Sequence, residues 1–142
     1  MRTLNQLLND KGRAVYSISP DAPVIDAVRI MATSHVGALL VMHGESLQGI
    51  ISERDYARKV VLLGRASSDT PVHEIMSTPV LSVSPDTSVH DAMQIMTHQR
   101  VRHLPVMVGA RVLGVVSIGD LVKSVIEEQQ HHIEELETYI HG

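Results

Sequence analysis

The sequence predicts an α/β (α+β) fold built from two copies of one β-α-β-β-α unit. Three observations predict it. The chain repeats itself: Val15–Gly64 lies over Val80–Gln129 without a gap, with roughly 19 of 50 positions identical. Each copy shows the apolar period of a helix, followed by two short apolar runs of strand length. Turn residues fall at the same offsets in both copies, as Ser19-Pro20-Asp21 and Ser84-Pro85-Asp86.

Taken in order, Leu4, Leu7 and Leu8 predict a small amphipathic helix within an N-terminal segment, residues 1–14. The first copy, 15–64, opens on an extended piece (Val15–Ile18), matched by Val80–Val83 in the second copy, 80–129. A helix follows the Ser-Pro-Asp turn, because Val24, Ala27, Val28 and Met31 recur at i, i+3, i+4 and i+7, as do Val89, Ala92, Met93 and Met96. Two strands come next (Ala38–Met42 and Leu47–Ser52; His103–Val108 and Val112–Ser117), with Gly44 and Gly109 marking the turns between them. A closing helix starts at Ser52 and again at Ser117. The linker, 65–79, is polar until Thr70-Pro71, which starts a short helix running through Met76. In the C-terminal extension, 130–142, the last helix continues to about Tyr139. Ile126, Ile133 and Ile140 are spaced by seven, with Gln129 and Leu136 between them. This short, imperfect heptad seam either makes a dimer contact or folds back on its own module. About 50 residues bury too little alone, so the two units are expected to pack face to face around a pseudo-two-fold axis.

Composition narrows the function. Hydrophobic residues make up 44% and charged residues 20%, an ordinary globular balance. The net charge of −4 and the lack of a basic stripe argue against nucleic acid. With no Phe, no Trp and three Tyr, a bound base would meet mainly aliphatic side chains. No apolar run approaches membrane-spanning length, and the N-terminus lacks a signal-peptide core. There is no cysteine, and a cytoplasmic location is the simplest expectation. Nine histidines invite a metal reading. No metal-ligand spacing is present, however, and His131-His132 sits among glutamates on what reads as a solvated face. Nor is there a nucleophile elbow, P-loop or dinucleotide fingerprint, so an enzyme is not expected.

The nearest thing to a site motif is Gly-h-h-Ser-x-x-Asp, where h is apolar. It occurs as Gly49-Ile50-Ile51-Ser52-Glu53-Arg54-Asp55 and again as Gly114-Val115-Val116-Ser117-Ile118-Gly119-Asp120. Ser ends a strand and begins a helix, whose free N–H groups attract an anion. The Asp projects from the first turn and is a good acceptor for a ribose diol. The same spacing is also a capping box, which needs no ligand.

The paired runs SISPDAPVIDAVRIM and SVSPDTSVHDAMQIM, with LQGIISERD and VLGVVSIGD, resemble the cystathionine-β-synthase-type (CBS) domain. The tandem resembles a CBS pair (Bateman module), and GIISERDYARKVVLLGR is similar to small stand-alone bacterial CBS-pair proteins. The resemblance implies a regulatory module that binds an adenine nucleotide: AMP, ADP, ATP or NAD(H), with S-adenosylmethionine less expected. It implies ribose contacts from Asp120 and Asp55. It implies phosphate contacts from the turns at Ser117, Ile118 and Gly119 and at Ser52; the residues themselves add Arg54, and Arg100, Arg102 and His103, for which solvated surface charge is the competing reading. The adenine would meet the backbone of Tyr16, Ser17 and Ile18 and of Val80, Leu81, Ser82 and Val83. Its walls would be Leu39, Ile51, Leu104, Pro105 and Val116, although core packing is the competing reading for these.

The copies differ where phosphate would lie. Arg100, Arg102 and His103 stand opposite His35, Gly37 and Ala38, while the repulsive Glu53 stands opposite Ile118, with Arg54 to offset it. The Asp120 site is therefore expected to be the better one. Lys11 and Arg13 are within reach of a phosphate, although a solvated terminus is the preferred reading. A homodimer and an unidentified effector protein are the expected partners. The competing reading is a structural interaction module with vestigial sites.

Overall fold

A computed structural model describes residues 2–141; Met1 and Gly142, at the ends of the expected terminal segments, lie outside it. The chain divides into two compact units. One is Val15–Leu81, and the other combines Ser82–Gly142 with Met1–Ala14. The N-terminal segment therefore packs with the second repeat, although it precedes the first.

In the Val15–Leu81 unit, β1 (Ser17–Ile18) pairs in parallel with β2 (Ala38–His43), which pairs antiparallel with β3 (Ser46–Ser52). Helix α2 (Val24–Ser34) covers the sheet with the predicted face: Val24, Ala27 and Met31 are buried with Leu39, Val41 and Ile51. It ends at His35 in a left-handed C-cap. Ser52 caps the short α3 (Glu53–Tyr56), which runs on as a π-helical turn, Ala57–Val61. The linker helix is shorter than expected, a single 3-10 turn at Val72–Glu74.

The other unit repeats this plan with α4 (Val89–Gln99), β4 (His103–Val108), β5 (Arg111–Ser117) and α5 (Ile118–His141). A left-handed C-cap recurs at Arg100, and a register shift between Val106 and Met107 matches the one between Val41 and Met42. One element departs from expectation. The extended piece at Val80–Val83 forms no strand, only a bridge from Val83 to Val106. In the first copy, Leu40 N–H donates to the Tyr16 carbonyl at 3.1 Å. Pro105 takes that place in the second copy and has no N–H to give.

Helix α1 (Leu4–Lys11) supplies the missing wall of this unit. Thr3 and Gln6 form a capping box, and Leu4, Leu7 and Leu8 are buried among Val89, Leu104 and Leu121. Arg2–Leu8 docks as Thr70–Met76 does in the other unit. Leu4 N–H donates to the Thr87 carbonyl as Val72 N–H donates to that of Ala22, both at 2.8 Å, and Val89 N–H reaches the Arg2 carbonyl as Val24 N–H reaches that of Thr70. Each segment lies over the glycine of the site motif. A methyl group on Gly114 would come within 2.8 Å of Leu8, and one on Gly49 within 2.6 Å of Met76.

Candidate functional site

Both Ser-x-x-Asp motifs fold as the capping box that their spacing allows. At the junction of β5 and α5, Asp120 N–H donates to Ser117 Oγ at 3.1 Å, and Ser117 N–H donates to Asp120 Oδ2 at 2.8 Å. At the junction of β3 and α3, Ser52 N–H and Ser52 Oγ both donate to Asp55 Oδ2 at 3.0 Å, and Asp55 N–H donates back to Ser52 Oγ at 3.2 Å. The free valences around each box separate the two copies.

Asp55 is fully engaged. Its Oδ1 receives Ser77 Oγ at 3.3 Å and faces the Lys59 ammonium at 3.1 Å, and its side chain is 12% exposed. Asp120 is more open, at 26%, and its partners crowd onto Oδ2, which also receives Lys11 Nζ at 2.6 Å. No donor among the described residues reaches Asp120 Oδ1. The N–H of Ile118 is taken by the Arg102 carbonyl at 2.8 Å, whereas that of Gly119 has no protein acceptor among the described residues. Gly119 is exposed, so a carboxylate oxygen and a backbone donor face outward from one helix turn.

Lys11 corrects the expectation of a solvated N-terminus. Its ammonium also donates to the Val115 carbonyl at 2.6 Å. In the other unit the matching carbonyl, that of Ile50, is satisfied by Ser77 N–H at 2.8 Å. A lysine at the end of α1 thus does for Asp120 and Val115 what Ser77 does for Asp55 and Ile50. Arg13 turns away, to Asn5 and Asn9 on α1, both at 2.7 Å.

Electrostatics follow from this geometry. Burial opposes ionisation of Asp120, but hydrogen bonds from Lys11 and Ser117 and the charge of Lys11 outweigh it and hold the carboxyl below its ordinary value. For His103, burial disfavours the imidazolium. Asp120 pulls the other way, while Lys11 and Arg102 add to the lowering. His103 is therefore a neutral ring at pH 7, not the cation its place beside Arg102 suggests. Lys11, Arg102 and Asp120 are the charges that act on the His103 ring; Arg100, the helix cap, is not among them.

The remaining expected residues divide by exposure. Leu39, Ile51, Leu104 and Val116 are core, each 1% exposed or less, and Pro105 is buried with them. Their side chains offer a base no surface, which decides for core packing. Ile18 and Val83 are also buried. Tyr16, Ser17, Leu81 and Ser82 are exposed, and Val80 is partly so. Val83 spends both backbone groups on β4, with its N–H on the Pro105 carbonyl and its carbonyl on Met107 N–H, whereas Ser82 makes no backbone hydrogen bond among the described residues. Arg54 is half-buried and unpaired among the described residues, beside an exposed Glu53. Among the described residues no group of three or more His, Asp or Glu could hold a metal ion, and no helix is long and apolar enough to cross a membrane.

A duplicated unit with a strand-to-helix Ser-x-x-Asp box in each copy defines a tandem two-repeat module. The CBS-domain family model matches residues 12–62 and 72–127, and the chain belongs to that family as a tandem CBS pair. It is 39% identical over 149 residues to the mitochondrial CBS domain-containing protein CBSX3 of Arabidopsis thaliana, an alignment covering 99% of this chain and 72% of that protein. A solved protein with CBS domains from Burkholderia ambifaria MC40-6 is 48% identical, with a TM-score of 0.86 over 89% of this chain and 96% of its own. The CBS pair of protein MJ0100, solved in complex with 5′-methylthioadenosine and S-adenosyl-L-methionine, shares the fold at a TM-score of 0.80 and 19% identity, over 90% of this chain and 98% of its own.

Proposed function

We propose that this protein is a sensor that binds an adenine nucleotide at the Asp120 site and passes the binding event to a protein partner. The observation that carries this reading is the inequality of the two boxes. Asp55 has no acceptor capacity left, whereas Asp120 is held ionised with Oδ1 open, beside the free Gly119 N–H. A ribose diol donates to the carboxylate, and Lys11 and Arg102 supply positive charge for phosphate. The open backbone of Ser82 suits the edge of a purine. That MJ0100 was solved with two adenosine-bearing ligands supports the ligand class, and the cations here favour AMP, ADP, ATP or NAD(H) over an adenosyl ligand that carries no phosphate.

The reading is of a sensor and not a catalyst, because Ser52 and Ser117 and the carboxylates beside them are spent on their capping boxes. It assumes the cytoplasm, where adenine nucleotides are abundant, and a homodimer, for which α5 carries an exposed apolar stripe. Three Tyr and no Trp give weak absorbance near 280 nm, so a co-purifying nucleotide would dominate near 260 nm and be named by mass spectrometry. Added nucleotide at 100 times Kd should stabilise the fold by about 2.7 kcal/mol. No released ligand and no thermal shift with any adenine nucleotide would leave the structural-module reading standing instead.

A further inference from the structure

Helix α5 carries two apolar stripes. One, with Leu121, Ser124 and Val125, faces the core of its own unit. The other holds Val122, Ile126, Ile133, Leu136 and Ile140, which are between 41% and 72% exposed. Beyond Gln130 every residue described is exposed, yet the helix continues to His141. A helix of about a dozen residues is marginal in water without packing, so this end calls for an apolar partner along the second stripe.

We infer that the partner is the same helix of a second copy, running antiparallel. The inference deepens the homodimer reading above and rests on it. With Ile126, Ile133 and Ile140 at position a and Val122, Gln129 and Leu136 at d, an antiparallel pair sets a against d. Val122 then meets Ile140 of the second copy, Ile126 meets Leu136, and Gln129 meets Ile133. This register fills every layer from Val122 to Ile140, about 27 Å of helix, and a shift by one heptad leaves layers empty.

Charge selects the direction. Lys123 and Glu137 both lie at position e, and antiparallel helices bring the e positions together, so Lys123 of each copy faces Glu137 of the other. Lys123 is 79% exposed and only loosely paired with Glu127, at 4.0 Å, so it is free to turn. In a parallel pair Lys123 would face position g, an isoleucine, and meet no opposite charge. Glu127, Glu128, Glu134 and Glu135 fall at b and c, away from the seam.

The test uses the full chain in analytical ultracentrifugation, followed by disulfide trapping, for which the absence of native cysteine is an advantage. The native chain should be a dimer and Ile133→Asp a monomer. Lys123→Glu and Glu137→Lys should each weaken the dimer by roughly tenfold at low salt, and the double variant should restore it. Ile126→Cys and Leu136→Cys should cross-link when mixed. Leu136→Cys alone should not, because antiparallel helices hold its two copies about 15 Å apart along the axis. A native monomer would overturn the homodimer reading and this inference with it. A dimer that survives Ile133→Asp, charge variants without mutual rescue, or self-linking of Leu136→Cys would overturn the inference alone.

Discussion

Asp55 and Asp120 share a motif and a backbone geometry, and their neighbours from distant segments make them different. The sequence shows the Ser-x-x-Asp spacing in both copies, so the capping boxes were legible. Lys11 was not, because it stands 109 residues from the carboxylate it holds. Ser77, 22 residues on, closes Asp55 in the same hidden way, whereas Lys59 stands only four residues along the same helical run. His103 gives a prediction at this scale. Its folded pKa lies below the unfolded 6.5, so between those values the unfolded chain binds a proton that the folded chain refuses. Stability should therefore fall as pH drops below 6.5, and His103→Gln should flatten that part of the slope in urea titrations at pH 7.5 and 5.5. Asp120 acts in its own window: its contribution is fully present above 3.8 and is lost as pH falls through its lower folded value. A bound phosphate would raise the His103 pKa, so nucleotide should bind more tightly at pH 6 than at pH 8, a difference that calorimetry would find reduced in His103→Gln.

At the scale of elements, α2, α4 and the four strands β2 to β5 follow the apolar periods closely. The failures have local causes. Pro105 removes the N–H that would have bound the extended piece before Val83, so a repeat legible in sequence is broken in structure. Helix α1 was legible from Leu4, Leu7 and Leu8, but its place was not. Arg2–Leu8 shares no identical residue with Thr70–Met76 and aligns with it at a different offset from the main repeat; only the pattern Leu4, Leu7, Leu8 against Val72, Ile75, Met76 is common. Its packing can be tested directly. Leu8 is fully buried, so Leu8→Ala should cost about 2–5 kcal/mol. Gly114→Ala, which crowds Leu8, should cost about 1–3 kcal/mol. Because the smaller side chain makes room for the added methyl, the double variant should lose less than the sum, by denaturant unfolding. Strict additivity would mean that α1 does not sit on Gly114.

For the whole molecule, the chain begins in one unit, builds the other, and returns to finish the first. The duplication made the fold class legible, whereas the membership of Met1–Ala14 had no signal beyond an amphipathic pattern. Deleting residues 1–11 should therefore raise amide hydrogen exchange in α4, β4 and β5 and leave α2, β2 and β3 largely unchanged, although the deleted segment adjoins the latter in sequence. The same deletion removes Lys11 from Asp120, which ties the unit's assembly to the chemistry of its site. The central claim is that Asp120 is a ribose-binding carboxylate as well as a helix cap. Calorimetric titration of ATP and AMP into the native protein, Asp55→Ala and Asp120→Ala tests it most directly. Loss of a charge-assisted hydrogen bond predicts binding about 10- to 150-fold weaker in Asp120→Ala, with a much smaller change in Asp55→Ala; native affinity in both variants would contradict the account.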